Sequence, residues 1–490
     1  MDTFEKRKTQ IIIVGGGLTG LTLALMLERV NISYILLEAY PELTSPVGAA
    51  IGIFANGLRI MDQLGLLDEI EATGFEPVRH EVVDAESGKK VFELQIRGLA
   101  GYMRERHGYV AATLPRHGLL QIIERRLQKR SCLLTSKRVR EIEQTDTRAT
   151  VTCEDGSQYE AQMVVGCDGV RSTVRREMWR LAREASPGWF SKEQTMSCEY
   201  AVVFTLCPPC PAHFSPGDVV GIQGRGIYGG IICGRAGELW LQYNWRIRAP
   251  PFPADHLPRI SADEQARRWA DAARLPINRG SMTLGDLMAA GMKQTGAAVL
   301  PHHAFDRWWF GRCIIIGDAA HKFNPLMGQG GNNCLESAAA LVSEIERCLG
   351  KGEIALEDRE AVWPQEAVEE AFESVQEQRL PRVTELIGMS QVAQYVAARD
   401  HWLHVWIVRY VLPLMSYKMH ADVFSGYISG GSRLKGKVWD RPDRAHSIPW
   451  GDEPQTEKNR LGHRLSPAAG LLILGSLVVG ASIGVWRSLR

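Results

Sequence analysis

At 490 residues the chain is long enough for about three domains of ordinary size, or two large ones with additions, and too long for one small module. Its 57 basic and 56 acidic residues nearly cancel, so no global field gathers phosphates around it and nucleic acid is not expected as a partner. A hydrophobic share of 45% beside 23% charged residues is globular composition, with ample apolar mass for a core and no sign of general disorder. Ten scattered cysteines read as small buried hydrophobes in a reducing compartment; Cys207 and Cys210 enclose Pro208-Pro209 with no second pair, so zinc is not expected. Residues 1–10 are polar and charged, without the apolar run of a secretory signal.

In chain order, 11–14 is an apolar run rich in β-branched residues and reads as a strand. A glycine-rich turn at 15–20 leads into a helical pattern at 21–29, and 34–37 reads as a second strand ending at Glu38. This is the β-α-β unit of a dinucleotide-binding sheet. Residues 137–161 read as a hairpin leading into a strand at 163–165, and 196–247 alternate as an antiparallel sheet does. A strand at 313–316 runs into Gly317-Asp318, and a glycine-rich loop separates it from a helical segment at 333–349. The predicted architecture is α/β. A doubly wound, Rossmann-like sheet is assembled from 1–180 and 300–350, with a β-rich substrate domain inserted at 181–299. A helical region at 351–429 and a linker at 430–466, rich in Gly, Pro and charge, follow.

Residues 468–486 carry no charge and lie between Arg464 and Arg487. As a helix they span about 28 Å, close to the hydrocarbon thickness of a bilayer, so they read as a transmembrane anchor, with a buried core helix as the alternative. A second apolar stretch, 402–415, is shorter and interrupted by His404, Arg409 and Pro413; it reads equally as a core helix or as one lying in a membrane interface.

The chemistry rests on three motifs. Gly15, Gly17 and Gly20 form a GxGxxG turn between strand and helix, where side-chain-free backbone lets N–H groups approach a pyrophosphate. Glu38, at the end of the next strand, is placed to accept from ribose hydroxyls. Asp168-Gly169 ends the strand before a run with Arg171 and Arg175. Asp318, with the loop through Gly331, is placed to hold the ribityl or pyrophosphate side of a flavin and to present N–H groups to its ring. No HExxH, nucleophile elbow or P-loop lysine is present.

With this GxGxxG, the DG motif at Asp168-Gly169 and the GD motif at Gly317-Asp318, the chain resembles FAD-dependent, single-component flavoprotein monooxygenases of the aromatic-hydroxylase type. More narrowly it resembles fungal secondary-metabolite epoxidases that act on prenylated indole-diterpenes and meroterpenoids. That likeness is carried by 52–59 with 62–65, by 178–182 and by the apolar tail. The resemblance implies FAD contacts at Glu38, Gly52, Arg116, Asp318 and Gly331, with Pro115 standing where the family shows an Asp. It also implies a tyrosine in the substrate sheet, for which Tyr228 is the first candidate and Tyr243 the second, a core aromatic being the alternative for either. NAD(P)H is the expected reductant, bound transiently with Arg171 as a candidate contact; NADPH and NADH are not distinguished. His321 reads as a packed residue.

The expected function is therefore epoxidation of a prenyl double bond, with a hydrophobic prenylated small molecule and a membrane as partners and a terpene cyclase as the enzyme acting next. The expected location is the endoplasmic reticulum, on a carboxyl-terminal anchor with the catalytic part in the cytosol. The basic flank Lys458, Arg460 and Arg464 fits the positive-inside rule, whereas Arg487 and Arg490 oppose it. The alternatives are an aromatic-ring hydroxylase, a non-catalytic membrane-tethered flavoprotein scaffold and a flavin-dependent reductase of prenyl chains.

Overall fold

A computed structural model describes residues 7–44, 50–189, 195–247, 251–254, 256–350, 361–436, 438–439 and 444–453. The strand Ile11–Val14 is buried along its whole length, because both of its faces are covered: Ile11 and Ile13 join one core cluster, Ile12 and Val14 another. A continuous apolar run, not an alternating one, is what such a strand needs. It pairs in parallel with Tyr34–Leu37 on one side and Met163–Gly166 on the other. Leu133–Leu134 and Cys313–Ile315 extend the sheet on either side, and Trp309–Phe310 closes it antiparallel, giving six strands. The helices Leu18–Arg29 and Gln329–Leu349 pack on one face, and Thr173–Ala185 on the other. This is the mixed α/β architecture expected.

The second large sheet has nine strands. Thr195–Cys207, Leu239–Arg246, Ile227–Cys233 and Asp218–Gly224 form the antiparallel block predicted for 196–247. Two features correct the expected domain boundaries. Arg79–Asp84 pairs in parallel with Asp218–Gly224, and Lys90–Gln95 follows it as the edge strand, so part of the span assigned to the dinucleotide unit belongs to the substrate sheet. At the far edge, Lys293–Ala304 runs beside Thr195–Cys207 and then meets His321–Lys322, which joins this sheet directly to the GD motif.

The segment expected to be a linker is not one as far as residue 453. Leu434, Trp439 and Trp450 are buried in the core of the dinucleotide unit. The reason lies in the helix Ala55–Gln63: Arg59, only 2% exposed, needs a carboxylate, and Asp452 supplies it at 2.8 Å while Trp450 covers the guanidinium at 4.4 Å. Among the described residues no helix is long and apolar enough to cross a membrane, and the predicted anchor, 468–486, lies outside them.

Candidate active site

At two positions, Gly15 and Gly20, the passage from Ile11–Val14 into Leu18–Arg29 has room for nothing larger than glycine. Gly15 has φ +104°, and a Cβ there would lie 2.6 Å from the Cys167 carbonyl oxygen. A Cβ on Gly20 would lie 1.9 Å from the Gly15 carbonyl oxygen. Gly17 is open: Arg116 Nη2, at 3.8 Å from its Cβ position, is the nearest group. Gly17 is also the N-cap, so the first turn has no side-chain cap among the described residues, and no acidic residue stands in it. A bare helix amino terminus with a guanidinium beside it fits a diphosphate.

Glu38 stands where predicted, its Oε2 accepting from the Gly16 N–H at 2.6 Å and its Oε1 from the Tyr40 N–H at 2.9 Å. It therefore braces the turn. Arg116 begins the helix Arg116–Arg126 directly after Pro115, which serves as N-cap with φ −57°. The proline at this position is compatible with the reach of Arg116 to the turn.

The GD motif is held against the same helix, because Gly317, at φ +64°, would place a Cβ 2.5 Å from Thr19 Oγ1. Asp318 pairs with Lys322 and accepts a weak bond from Cys334 Sγ at 3.8 Å. Burial lowers the pKa of Lys322, but Asp318 outweighs that effect and raises it above the usual lysine value, while Arg116 is close enough to oppose it. Lys322 thus stands as a cation paired with Asp318, with Arg116 near enough to feel it. Lys322 was not among the residues read from the sequence, although it stands four places after Asp318.

The helix expected at 333–349 begins at Gln329, because Gly328 takes the left-handed conformation at its N-cap (φ 61°, ψ 14°) and turns the chain. Gly330 and Gly331 therefore lie in the first turn, again with no side-chain cap and no acid. Asn332 ties this turn to Gly52: its Nδ2 donates to the Gly52 carbonyl at 3.0 Å and its Oδ1 accepts from the Phe54 N–H at 2.9 Å. The fold brings Gly52 and Gly331 close together, with Ile51 2.7 Å from a Cβ position on Gly331. Asn324 Nδ2, in the intervening loop, is buried without a hydrogen-bond partner among the described residues. Two uncapped helix starts, one beside cations and one beside a free amide donor, fit the two ends of a flavin dinucleotide.

The DG motif is structural. Asp168 accepts from the Thr173 and Val174 N–H groups at 2.7 and 3.1 Å and so caps Thr173–Ala185; burial raises its pKa. Arg175, 2% exposed, donates to the carbonyls of Ala319, Val170 and Ala254 and ties this helix to the GD loop. Arg171 is exposed and bonds the Pro258 carbonyl at 3.2 Å. His321 is buried as expected, bonded to Ser337 at 2.9 Å, and burial holds its pKa down at about 3.

The two faces of the large sheet separate the tyrosine candidates. Tyr243 lies with Val220, Ile231 and Leu241 in the core beneath the helix Ala262–Ala273. Tyr228 points the other way, in register with Gln223 on one neighbouring strand and Asn244 on the other. A Cβ on Gly221 would stand 3.3 Å from Tyr228 Oη and 3.2 Å from His80 Nε2, so this glycine leaves a gap into which both polar tips lean.

His80 Nε2, Gln223 Oε1 and Asn244 Oδ1 are all buried without hydrogen-bond partners among the described residues, which marks a surface built for a bound molecule. Burial, with a smaller push from His420, lowers the pKa of His80 to about 4, and burial raises that of Tyr228 to about 12, so both are neutral at physiological pH. The helix Tyr417–Ile428 joins this surface to the dinucleotide site: His420 feels His80, and Phe424 stacks at 6.4 Å on Phe54, the ring beside Gly328. His80, Gln223 and Asn244 escaped the sequence reading because their convergence depends on register: antiparallel pairing sets Gln223 and Asn244 beside Tyr228, and parallel pairing of a distant strand brings in His80.

The family model described as FAD binding domain matches residues 8–188 and 269–359. The chain is 32% identical over 449 residues to the FAD-dependent monooxygenase nvfK of Aspergillus novofumigatus, covering 89% of this chain and 92% of that protein. It is 31% identical over 437 residues to the FAD-dependent monooxygenase penE of Penicillium thymicola, covering 86% and 87%. HpxO of Klebsiella pneumoniae, solved with FAD and uric acid, shares the fold, with a TM-score of 0.67 at 20% identity over 87% of this chain and 98% of its own. The cradle of Gly15, Gly17, Gly20 and Arg116, the matched model and these relatives agree: the chain belongs to the FAD-binding-domain family of FAD-dependent monooxygenases.

Proposed function

We propose that this monooxygenase epoxidises a double bond in the prenyl chain of a hydrophobic meroterpenoid or indole-diterpene intermediate of secondary metabolism, using NAD(P)H and dioxygen. A flavin held by this cradle would supply the redox chemistry, in which NAD(P)H provides two electrons and O₂ gives one oxygen atom to the substrate and the other to water. The protein positions the substrate and excludes water. Tyr228 Oη and His80 Nε2 orient it through hydrogen bonds across the gap at Gly221, and Gln223 and Asn244 add acceptors beside them.

The observation that carries the choice is the state of this surface. A ring hydroxylase of phenols needs a base that takes the phenolic proton. The imidazole nearest Tyr228 has its pKa lowered to about 4 by burial, so its affinity for that proton is weak. An electron-rich alkene has no proton to remove and so needs no base, while the neutral polar groups of this surface would hold the polar head of the same substrate through hydrogen bonds. The apolar segment 468–486 supports a membrane-anchored enzyme, because a prenylated aromatic partitions into a bilayer at about 0.8 kcal/mol per buried CH₂ and is met at its surface. A cyclase that protonates the epoxide is then the natural next enzyme, and the endoplasmic reticulum the natural location.

The test is incubation of the purified chain with NADPH, oxygen and a panel of farnesylated aromatics, following product mass and acid lability. A product one oxygen heavier that mild acid opens supports the reading. An acid-stable phenol of the same mass supports the ring hydroxylase instead, a product two hydrogens heavier supports the reductase, and no NAD(P)H oxidation with any substrate supports the scaffold.

A further inference from the structure

Among the described residues, six of the nine exposed large hydrophobics fall in one short stretch: Trp402, Val405, Trp406, Tyr410, Leu414 and Tyr417. Their spacing of three, four and seven follows one side of the helical turns Trp402–Trp406, Ile407–Val411 and Leu412–Leu414 and ends at the start of Tyr417–Ile428. The usual amphipathic order is inverted here. The side facing the protein carries His404 as well as Ile407 and Val408, all buried, while the aromatic side faces out, with Trp402 69% and Leu414 84% exposed. The stretch is fixed to the body at several points. Tyr200 and Arg246 hold Asp400, Arg399 pairs with Asp84, and the Gly226 N–H donates to the Ala398 carbonyl at 2.7 Å. Its later turns pack on the edge strand Lys90–Gln95 of the substrate sheet.

We propose that this ridge docks on an anionic phospholipid surface, seating the rim of the substrate sheet at the headgroup level. Residues 401–420 contain no Asp or Glu, and their charges are Arg409 and Lys418, both exposed. Exposed Trp and Tyr beside isolated cations are the composition of a membrane interface, where aromatic rings sit at the headgroups and cations meet phosphate. A second copy of the chain is a poorer occupant, since self-pairing of the ridge brings Arg409 and Lys418 against like charges. The ridge lies well before 468–486 in the sequence and is argued without that segment; it gives the substrate sheet its own contact with the bilayer. A molecule dissolved in the bilayer then reaches the surface around Tyr228 and His80 past the helix Tyr417–Ile428, with little travel through water.

The test uses the full chain with brominated phosphatidylcholine and phosphatidylserine vesicles, comparing tryptophan emission of the wild type with that of Trp402→Phe/Trp406→Phe and, separately, Trp486→Phe. The ridge is docked if the emission that disappears in the double variant is blue-shifted and quenched by the brominated lipid. Replacing the cations in Arg409→Gln/Lys418→Gln then lowers the docked-to-undocked ratio roughly 25-fold, about fivefold for each charge, while flavin absorbance stays unchanged. If the Trp402 and Trp406 emission is unquenched while that of Trp486 is quenched, the proposal is overturned although the anchor reading survives. Ridge emission that is shielded in lipid-free buffer, together with a dimeric mass, overturns it in favour of self-association.

Discussion

Replacing Glu336 tests how the flavin-side helix is held. Glu336 is 0% exposed and lies two turns into Gln329–Leu349. It receives bonds from Asn56 at 2.6 Å and from Arg382 at 2.9 and 3.0 Å, and it pairs with Arg379, itself 0% exposed. Burial alone would raise its pKa, but Arg382 and Arg379 outweigh burial and hold it at about 2. Set against an ordinary glutamate, that depression corresponds to roughly 3 kcal/mol. Loss of one partner from a buried pair costs about 3–5 kcal/mol, the same range. For a chain of this length the unfolding entropy is about 1 kcal/mol/K, so Glu336→Gln is expected to melt roughly 3–5 °C below wild type at a fixed scan rate. The double variant Glu336→Leu/Arg379→Met, which leaves no unpaired charge at the 0% exposed positions, recovers part of that loss. A single variant that melts within a degree of wild type, or a double variant no more stable than the single, refutes the reasoning.

The sign of the pH effect follows from the same group: because its folded pKa is depressed, its contribution is present above about pH 4.5 and is lost as pH falls toward 2, which acid titration of the melting temperature reads. Arg116→Ala weakens FAD binding by about tenfold to 150-fold, measured by fluorescence titration of the apoprotein, as expected for a charge-assisted bond worth about 1.5–3 kcal/mol. Gly20→Ala yields folded but flavin-poor protein, since its Cβ would overlap the Gly15 carbonyl oxygen at 1.9 Å; full flavin occupancy in that variant contradicts the cradle. Tyr228→Phe raises KM or lowers kcat while Tyr243→Phe leaves both near wild type, and equal effects would contradict the assignment of sheet faces.

The dinucleotide half was legible because it is local: an apolar strand, a glycine turn and a helix follow one another between Ile11 and Arg29, and Gly15 and Gly20 each have a steric reason. Tyr228 and Tyr243 could not be ranked from alternation alone, since they lie on different strands and period two fixes neither the register between those strands nor which side the helix Ala262–Ala273 covers. The entry of Arg79–Asp84 into the substrate sheet was hidden for another reason. Its partner strand is far along the chain, with Arg79 bonded to Asp218 at 2.8 Å, and parallel pairing leaves no turn signal. Leu434, Trp439 and Trp450 sit among Gly, Pro and charged residues that read as a linker, and the contacts that make it pack, to the buried guanidinium of Arg59, to Gln63 and to Glu346, come from distant parts of the chain. The early start of the helix at Gln329 turns on one backbone conformation, Gly328 at φ 61°, which the run of glycines permits but does not specify.

The most direct test of the proposed reaction is the fate of oxygen. With NADPH, isotopically labelled O₂ and a farnesylated or geranylgeranylated aromatic, a surface of neutral polar groups around Tyr228 predicts one labelled atom on the prenyl chain, in an epoxide. Label on the aromatic ring, or an oxygenated product without label, would contradict it.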